Sequence, residues 1–241
     1  MHFTNAGIYN GLFTLYDAET HTLWNHITGE AEYGPLVGRT LGPPGNQLLL
    51  NVKQALEMDP KMVIAISDRV YFAGGRQFGT ARGAGPAIQG ATQAKGGGAL
   101  CRGGPNPNAV MNDRFAGTLG KEDDRRPRME LGLGVWTNQT YRYYPVTRIR
   151  EQGRAFVDRL DGRTLLIYID PDTNNPVAIY VKAAGAKMQD NDVVLDDGSV
   201  VRAGLLLDRG GKRQSVERPL QMFTRWYGWS LTFPGGEIFG Q

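Results

Sequence analysis

"GRTLLIYIDPDTNNPVAIYVKA", residues 162–183, decides the fold class. Two apolar runs rich in β-formers flank the six turn-forming residues Pro171–Pro176. Aspartate before proline initiates turns, and Asn174 and Asn175 tolerate unusual φ. The stretch therefore reads as a strand, a turn and its hairpin partner.

The same pattern extends in both directions. Upstream, "LGLGVWT" (131–137) is a strand, "NQT" a polar turn and "YRYYPV" (141–146) the return, with "TRIREQG" (147–153) as one helical turn. Downstream, "DVVLDDGSVVRAGLLLD" (192–208) is a hairpin about Asp197-Gly198, the strongest turn signal in the chain. Near the N-terminus, "GLFTLYD", the turn "AETH" and "TLWNHIT" make a further hairpin closed by Gly29, and Gly34-Pro35 turns a corner. Leu49, Val52, Leu56 and Met58 recur at about helical spacing, with Asn46 or Asn51 as cap and Pro60 as stop, which predicts a short helix near 51–58. Phe223, Trp226 and Tyr227 stand at i, i+3, i+4 and predict a short aromatic helix ended by Pro234. "MVIAIS" (62–67) predicts a buried strand that "RVYFA" (69–73) extends. The expected fold is mainly β, a β-rich α+β domain over 1–241, with antiparallel hairpins, a few short helices and a long Gly/Pro-rich insertion at 74–128.

That insertion has almost no periodicity, and it ends in the mixed-charge run "KEDDRRPR". Its side chains can bury little, while fixing a backbone costs on the order of 1 kcal/mol or more per residue. The expectation is an ordered loop laid on a neighbouring surface, with Phe78, Arg82, Pro86, Arg102, Pro105 and Pro107 in contact. Tyr143 and Tyr144 are added as contacts. Tyr141 and Tyr143 share one face of their strand and Tyr144 takes the other, so at least one ring should reach the surface.

Bulk composition bounds the function classes. The chain has 241 residues, 41% hydrophobic and 21% charged, which suits a globular protein with a sizeable core. A net charge of +3 is too mild to call for nucleic acid by itself. One cysteine, Cys101, excludes an internal disulfide, and with three histidines it gives no zinc-finger spacing. The first residues lack the basic and apolar regions of a signal peptide. No window approaches the roughly 18 apolar residues of a membrane-spanning helix.

Candidate chemistry is sparse. His21 and His26, with Asp17, Glu19 and Glu30, could hold a metal, yet residues five apart on one strand point to opposite faces. The structural alternative has His26 packing beside Trp24 and bonding a backbone carbonyl, with His21 exposed in a turn. Glu30, Glu32, Asp170 and Asp172 are candidates for a carboxylate pair, though Asp170-Pro171-Asp172 reads better as turn chemistry. No G-x-S-x-G occurs, Cys101 has no histidine nearby in sequence, and the glycine-rich stretch breaks the phosphate-loop spacings. Neither a metal nor a cofactor is expected. Trp24, Trp136, Tyr141, Tyr143, Tyr144, Trp226, Tyr227 and Trp229 are the stronger signal, as interface rings or as core.

Three long motifs carry a resemblance: "GIYNGLFTLYDAETHTLWNHITGEAEYGPLVG", "EDDRRPRMELGLGVWTNQTYRYYPVTRIREQGRAFVDRLDGRTLLIYIDPDT" and "FTRWYGWSLTFPGGEIF". Together they resemble an uncharacterised prokaryotic family, the domain of unknown function numbered three-one-seven-nine. The resemblance implies a β-rich fold with short helices. It also implies an extracytoplasmic or membrane-peripheral location, since relatives are often exported or membrane-anchored. It implies no activity. Many relatives carry an upstream segment with a leader and a Cys/His-bearing turn. Many also carry a cysteine-containing turn where this chain has Ile169 and Asp170. Any redox or metal work done by those cysteines is lost here.

The expected function is a non-catalytic structural or accessory subunit. It would dock on a larger membrane-bound assembly, bioenergetic or envelope, through its long loop and surface aromatics. Its partners would be other protein subunits, not nucleic acid, and it would be peripheral to the membrane complex. The alternatives are a small-ligand or glycan-binding module with an aromatic cleft, and a hydrolase or metal-dependent enzyme built on His26, Glu30 and Asp170.

Overall fold

The computed structural model describes residues 1–42, 44–46, 48–63 and 113–241. It is β-rich, with four mostly antiparallel sheets. The central hairpin forms as the turn chemistry requires: β8 (Arg163–Ile169) pairs with β9 (Pro176–Tyr180), Ile169 opposite Pro176. β7 (Ala155–Leu160) completes this three-stranded sheet on the other side of β8. A second sheet has the order β14-β5-β6-β15, from β5 (Leu131–Trp136), β6 (Tyr141–Pro145), β14 (Leu220–Arg225) and the short parallel β15 (Glu237–Ile238). Two meanders complete the fold. One is β1 (Phe3–Tyr9), β2 (Leu12–Asp17), β3 (Thr22–Asn25) and β4 (Ala31–Tyr33); the other is β10 (Ala186–Gln189), β11 (Asp192–Leu195), β12 (Val200–Arg202) and β13 (Leu205–Leu207).

The burial of β8 explains its sequence. On one face Leu165, Ile167 and Ile169 pack with Leu133, Val135 and Tyr144 of β5 and β6. On the other, Leu166 and Tyr168 pack with Val193, Leu195 and Val201 of the second meander. A strand covered on both sides needs no polar alternation, hence the unbroken "LLIYI".

The third core cluster is aromatic. Tyr143, Trp226, Trp229, Phe233 and Ile238 are buried together. A Cβ at Gly132 would stand 2.4 Å from the Tyr143 ring, and one at Gly134 2.1 Å from the Trp229 ring. The alternate glycines of "LGLG" are the seats of those two rings.

Helices follow their stop signals more closely than their apolar spacing. Helix α1 (Val52–Met58) starts at Asn51, which accepts from the Gln54 amide at 2.9 Å, while the Gln54 side chain accepts from the Asn51 amide at 3.1 Å. Pro60 lies just past its end. The stripe Leu49, Val52 and Leu56 is nevertheless exposed, at 54%, 59% and 40%. The buried residue of α1 is Gln54, whose amide donates to both oxygens of Asp170 at 3.2 and 3.0 Å. The helix thus docks by a polar bond at a buried site.

α2 (Asp113–Ala116) and α3 (Val146–Glu151) are short, and α4 (Trp226–Thr232) ends before Pro234 as expected. Phe223, however, lies in β14 opposite Leu133, so the aromatic helix begins only at Trp226. Met62 and Val63 are outside any strand, and the rest of the strand expected at 62–73 lies outside the described residues.

Residues 113–128, the end of the Gly/Pro-rich insertion, are held by their own domain. The Trp226 indole donates to the Asp123 carbonyl at 2.6 Å, Phe115 meets Tyr227 edge-on at 5.8 Å, and Arg126 pairs with Glu130 at 2.6 Å. The expected partner-contact residues Phe78, Arg82, Pro86, Arg102, Pro105 and Pro107 lie outside the described residues. Among the described residues, no helix is long and apolar enough to cross a membrane.

Candidate interaction face

The N-terminal meander starts from a two-residue turn. Asn10 and Gly11 both take positive φ, 51° and 70°, as a hairpin whose twist matches its strands demands. A Cβ at Gly11 would also collide with Leu119 at 2.6 Å and Tyr227 at 2.9 Å, so this turn anchors the meander to the rest of the chain. At the next connection, Asp17 is fully buried and organises the polar turn. It accepts from the amides of Glu19 (2.9 Å) and Thr20 (3.3 Å), and His21 closes the turn at φ 57°. Gly34 then passes over His21 and Thr22 with no room for a Cβ, which is why the corner after β4 is Gly-Pro.

Pairing fixes which side chains share a face. Tyr9 is opposite Leu12, and Tyr16 is opposite Leu23, which is opposite Tyr33. With the strand alternation of Leu12, Thr14 and Tyr16, these residues line one side of the sheet. A register shift between Asn5 and Gly7 bends β1, and the sheet holds an open groove of about 710 Å³ with Tyr9, Thr14, Leu23 and Tyr33 along it and Glu30 and Glu32 at one side. Tyr9 is 61% exposed and Tyr33 72%. Phe13, which does not line the groove, is 56% exposed, and Ile8, which does, is 42% exposed. All seven residues of β1 are exposed, and among the described residues no strand pairs with its outer edge.

Residues 1–42 hold Asp17, Glu19, Glu30 and Glu32 against one arginine, Arg39, in a chain of net charge +3. The apolar face therefore sits in the acidic part of a basic protein. Glu19 bonds the backbone amide and the ring of His2, and these bonds bring its pKa down from 4.5 to about 2.

The other expected sites resolve into structure. Tyr143 and Tyr144 are both fully buried, so neither ring offers a contact to a partner. The Tyr143 hydroxyl donates to the Glu130 carbonyl at 3.0 Å, the Tyr144 hydroxyl to Asp158 at 2.8 Å, and burial pushes both phenols up in pKa. The ring of that strand that reaches the surface is Tyr141, 38% exposed and stacked on Phe233. Trp24, Trp136, Trp226 and Trp229 are core or near-core rings.

His26 is exposed and bonds the Phe13 carbonyl at 2.6 Å, while His21 bonds the Tyr16 hydroxyl in its turn. Asp170 is 3% exposed, and its oxygens take the amides of Asp172 and Thr173, the Thr173 hydroxyl and the Gln54 amide. Most of those donors converge on Oδ1, and Oδ2 accepts from Gln54 alone, so the carboxylate organises its turn and the docking of α1. Among the described residues, no hydrogen bond or ion pair joins any two of His26, Glu30 and Asp170, and no cluster of three or more His, Cys, Asp or Glu side chains is placed to hold a metal.

Tyr9, Phe13 and Tyr33, exposed on the N-terminal sheet, lie within the first quoted motif but are not among the aromatics singled out from the sequence, whereas Tyr141, which is, also reaches the surface. The sequence signal there is Asn10-Gly11 between two β-like runs, which marks the β1–β2 hairpin; the sheet order then leaves β1 at the edge. No family model, curated protein or solved structure matches the chain.

Proposed function

We propose that this chain is a non-catalytic accessory subunit, docked on another protein of a larger, membrane-associated assembly through its N-terminal sheet. We include in that reading its kinship with the family its motifs resemble. One observation carries it: Phe3, Ile8, Tyr9, Phe13, Tyr33, Val37 and Leu41 are all 40% exposed or more within the first 42 residues. Tyr9 and Tyr33, which share one face of the sheet along its groove, offer apolar surface of the kind that marks an interaction site, and tyrosine is enriched in interfaces. The nearby carboxylates select the partner's chemistry. A basic rim around an apolar centre complements Glu30 and Glu32, whereas a nucleic-acid backbone is repelled. The free edge of β1 adds a row of backbone donors and acceptors that a partner strand can extend.

The test is chemical cross-linking of the native assembly with mass-spectrometric mapping, on wild type and on the double variant Tyr9→Glu, Tyr33→Glu. Cross-links should converge on β1–β4 and vanish in a variant that keeps its circular dichroism and melting temperature. Unchanged cross-links in the folded variant exclude this face as the interface. Saturable binding of an oligosaccharide that depends on Tyr33 would instead make the groove a sugar site.

A further inference from the structure

Arg218 stands on the segment between β13 and β14. The residue before it, Glu217, is taken by Arg163 in a bidentate pair at 2.7 and 2.6 Å. The residue after it, Pro219, gives its carbonyl to Asn46 at 2.8 Å. Arg218 itself makes no ion pair or hydrogen bond among the described residues, and its Nε is buried without a partner. Arg218 is half-buried, and a guanidinium with its Nε shut off from solvent and no counter-charge beside it is an unfavourable arrangement unless a bound group supplies acceptors. Burial accordingly pushes its pKa down, and the neighbouring Tyr168 phenol only partly opposes this.

The space beside it is open. Arg218 lines a cavity of about 400 Å³ together with Arg213, Gln214, Ser215, Leu205 and Val216, and no lining residue is a carboxylate. Arg213 is fixed there by its donation to the last carbonyls of α1, Met58 at 2.8 Å and Glu57 at 3.3 Å. The same cavity thus holds two cations, one anchored and one unpartnered, and the Ser215 hydroxyl. The two Nη groups of a planar guanidinium present parallel N–H donors that match two oxygens of a carboxylate or phosphoryl group.

We infer that this cavity binds a small oxyanion, a carboxylate or phosphoryl group, gripped by Arg218 and flanked by Arg213. The site is independent of the N-terminal sheet, so its fate does not depend on the docking role.

The test is titration of the full chain at low ionic strength with inorganic phosphate and, separately, with succinate, against sodium chloride of matched ionic strength. Heat of binding and melting temperature are the readouts. A saturable signal with one or both anions, absent with chloride, is expected, and the anion that binds more tightly identifies the group. Arg218→Gln should weaken it by about tenfold or more, Arg218→Lys by less, since the lysine keeps the charge and loses the fork. Should Arg218→Gln fail to fold, the ¹⁵N resonance of the Arg218 Nε–H in wild type serves instead, and it should move saturably with the anion. Absence of saturable binding at millimolar anion, equal binding by folded Arg218→Gln, or an unmoved Nε–H resonance each overturns the site.

Discussion

The two four-stranded meanders, β1–β4 and β10–β13, start from the same hairpin and meet opposite fates. Each opens with a two-residue turn, Asn10-Gly11 in one and Asp190-Asn191 in the other. Ile8 faces Phe13 in the first, and Met188 faces Val193 at the equivalent rung of the second. Val193 is fully buried under β7–β9, whereas Phe13 is 56% exposed. A seven-residue helix with a proline just beyond its cap comes next along the chain after the first meander and, with β14 in between, after the second: Pro60 follows Asp59 and Pro234 follows Phe233. Strand geometry is common to the two, so burial is decided by what lies across the face and not by the hairpin. The turns make a parallel pair as well. Asp17 and Asp170 each hold the amides two and three residues on, and His21 and Asn174 close them at φ 57° and 56°. Only Asp170 is also gripped from outside, by Gln54.

The largest expected effect breaks the first comparison. Val193→Asp should lower unfolding free energy by about 4 kcal/mol or more, because it buries an unpaired carboxylate. Phe13→Asp at the equivalent rung should change it by about 0.5 kcal/mol or less. Urea unfolding of the two variants checks both, and equal losses would show that the first face is buried after all.

The second comparison separates the two aspartates. Asp170→Ala strands the Gln54 amide besides its own turn, at about 1–3 kcal/mol for each buried group left unsatisfied. It should therefore cost more than Asp17→Ala by about one such increment. A double-mutant cycle between Asp170→Ala and Gln54→Ala should return a coupling of about 0.5–3 kcal/mol. A coupling near zero would mean that α1 is not held by that bond.

A smaller effect concerns acid. The Glu19 carboxylate is lowered to about 2 from 4.5 by its bonds to His2. A depressed acid stabilises the fold above its unfolded pKa, and that contribution is lost as pH falls through the folded value. Hydrogen-exchange protection at the β1 end of the first meander should therefore weaken between pH 4.5 and about 2, and Glu19→Gln should flatten that dependence. Because the pair is exposed, salt should weaken it too. The smallest effect is expected of Tyr33→Ala, a change of about 0.5 kcal/mol or less in folding stability. That variant isolates docking from folding.

Turn chemistry made the hairpins legible: Asp170-Pro171 with Asn174-Asn175 marks one reversal and Asp197-Gly198 another, and the structure contains both. α1 was legible at its ends, through Asn51 and Pro60, but not in its orientation. Its apolar stripe faces out because the docking group is Gln54, and no periodicity reports a polar anchor. β7 is hidden in the sequence by Asp158-Arg159, which look like loop. Their strand is tolerated because Arg142 and the Tyr144 hydroxyl both bond Asp158. The exposed face of the N-terminal sheet was least legible. Phe13 and Val193 are equivalent on their own hairpins, and exposure depends on the neighbouring layer, which a single strand's residues do not encode.

The double-sided burial of β8 has a consequence for the nascent chain. Until both neighbouring layers close, "LLIYI" offers two sticky faces and no charge, the profile of a segment that recruits other chains into cross-β stacks. Arg163 before it and Asp170-Pro171 after it stand where gatekeepers belong, and they stop such stacking from spreading along the polypeptide. Overproduction yield should hence hinge on how fast β5–β6 and β10–β13 arrive to cover that strand.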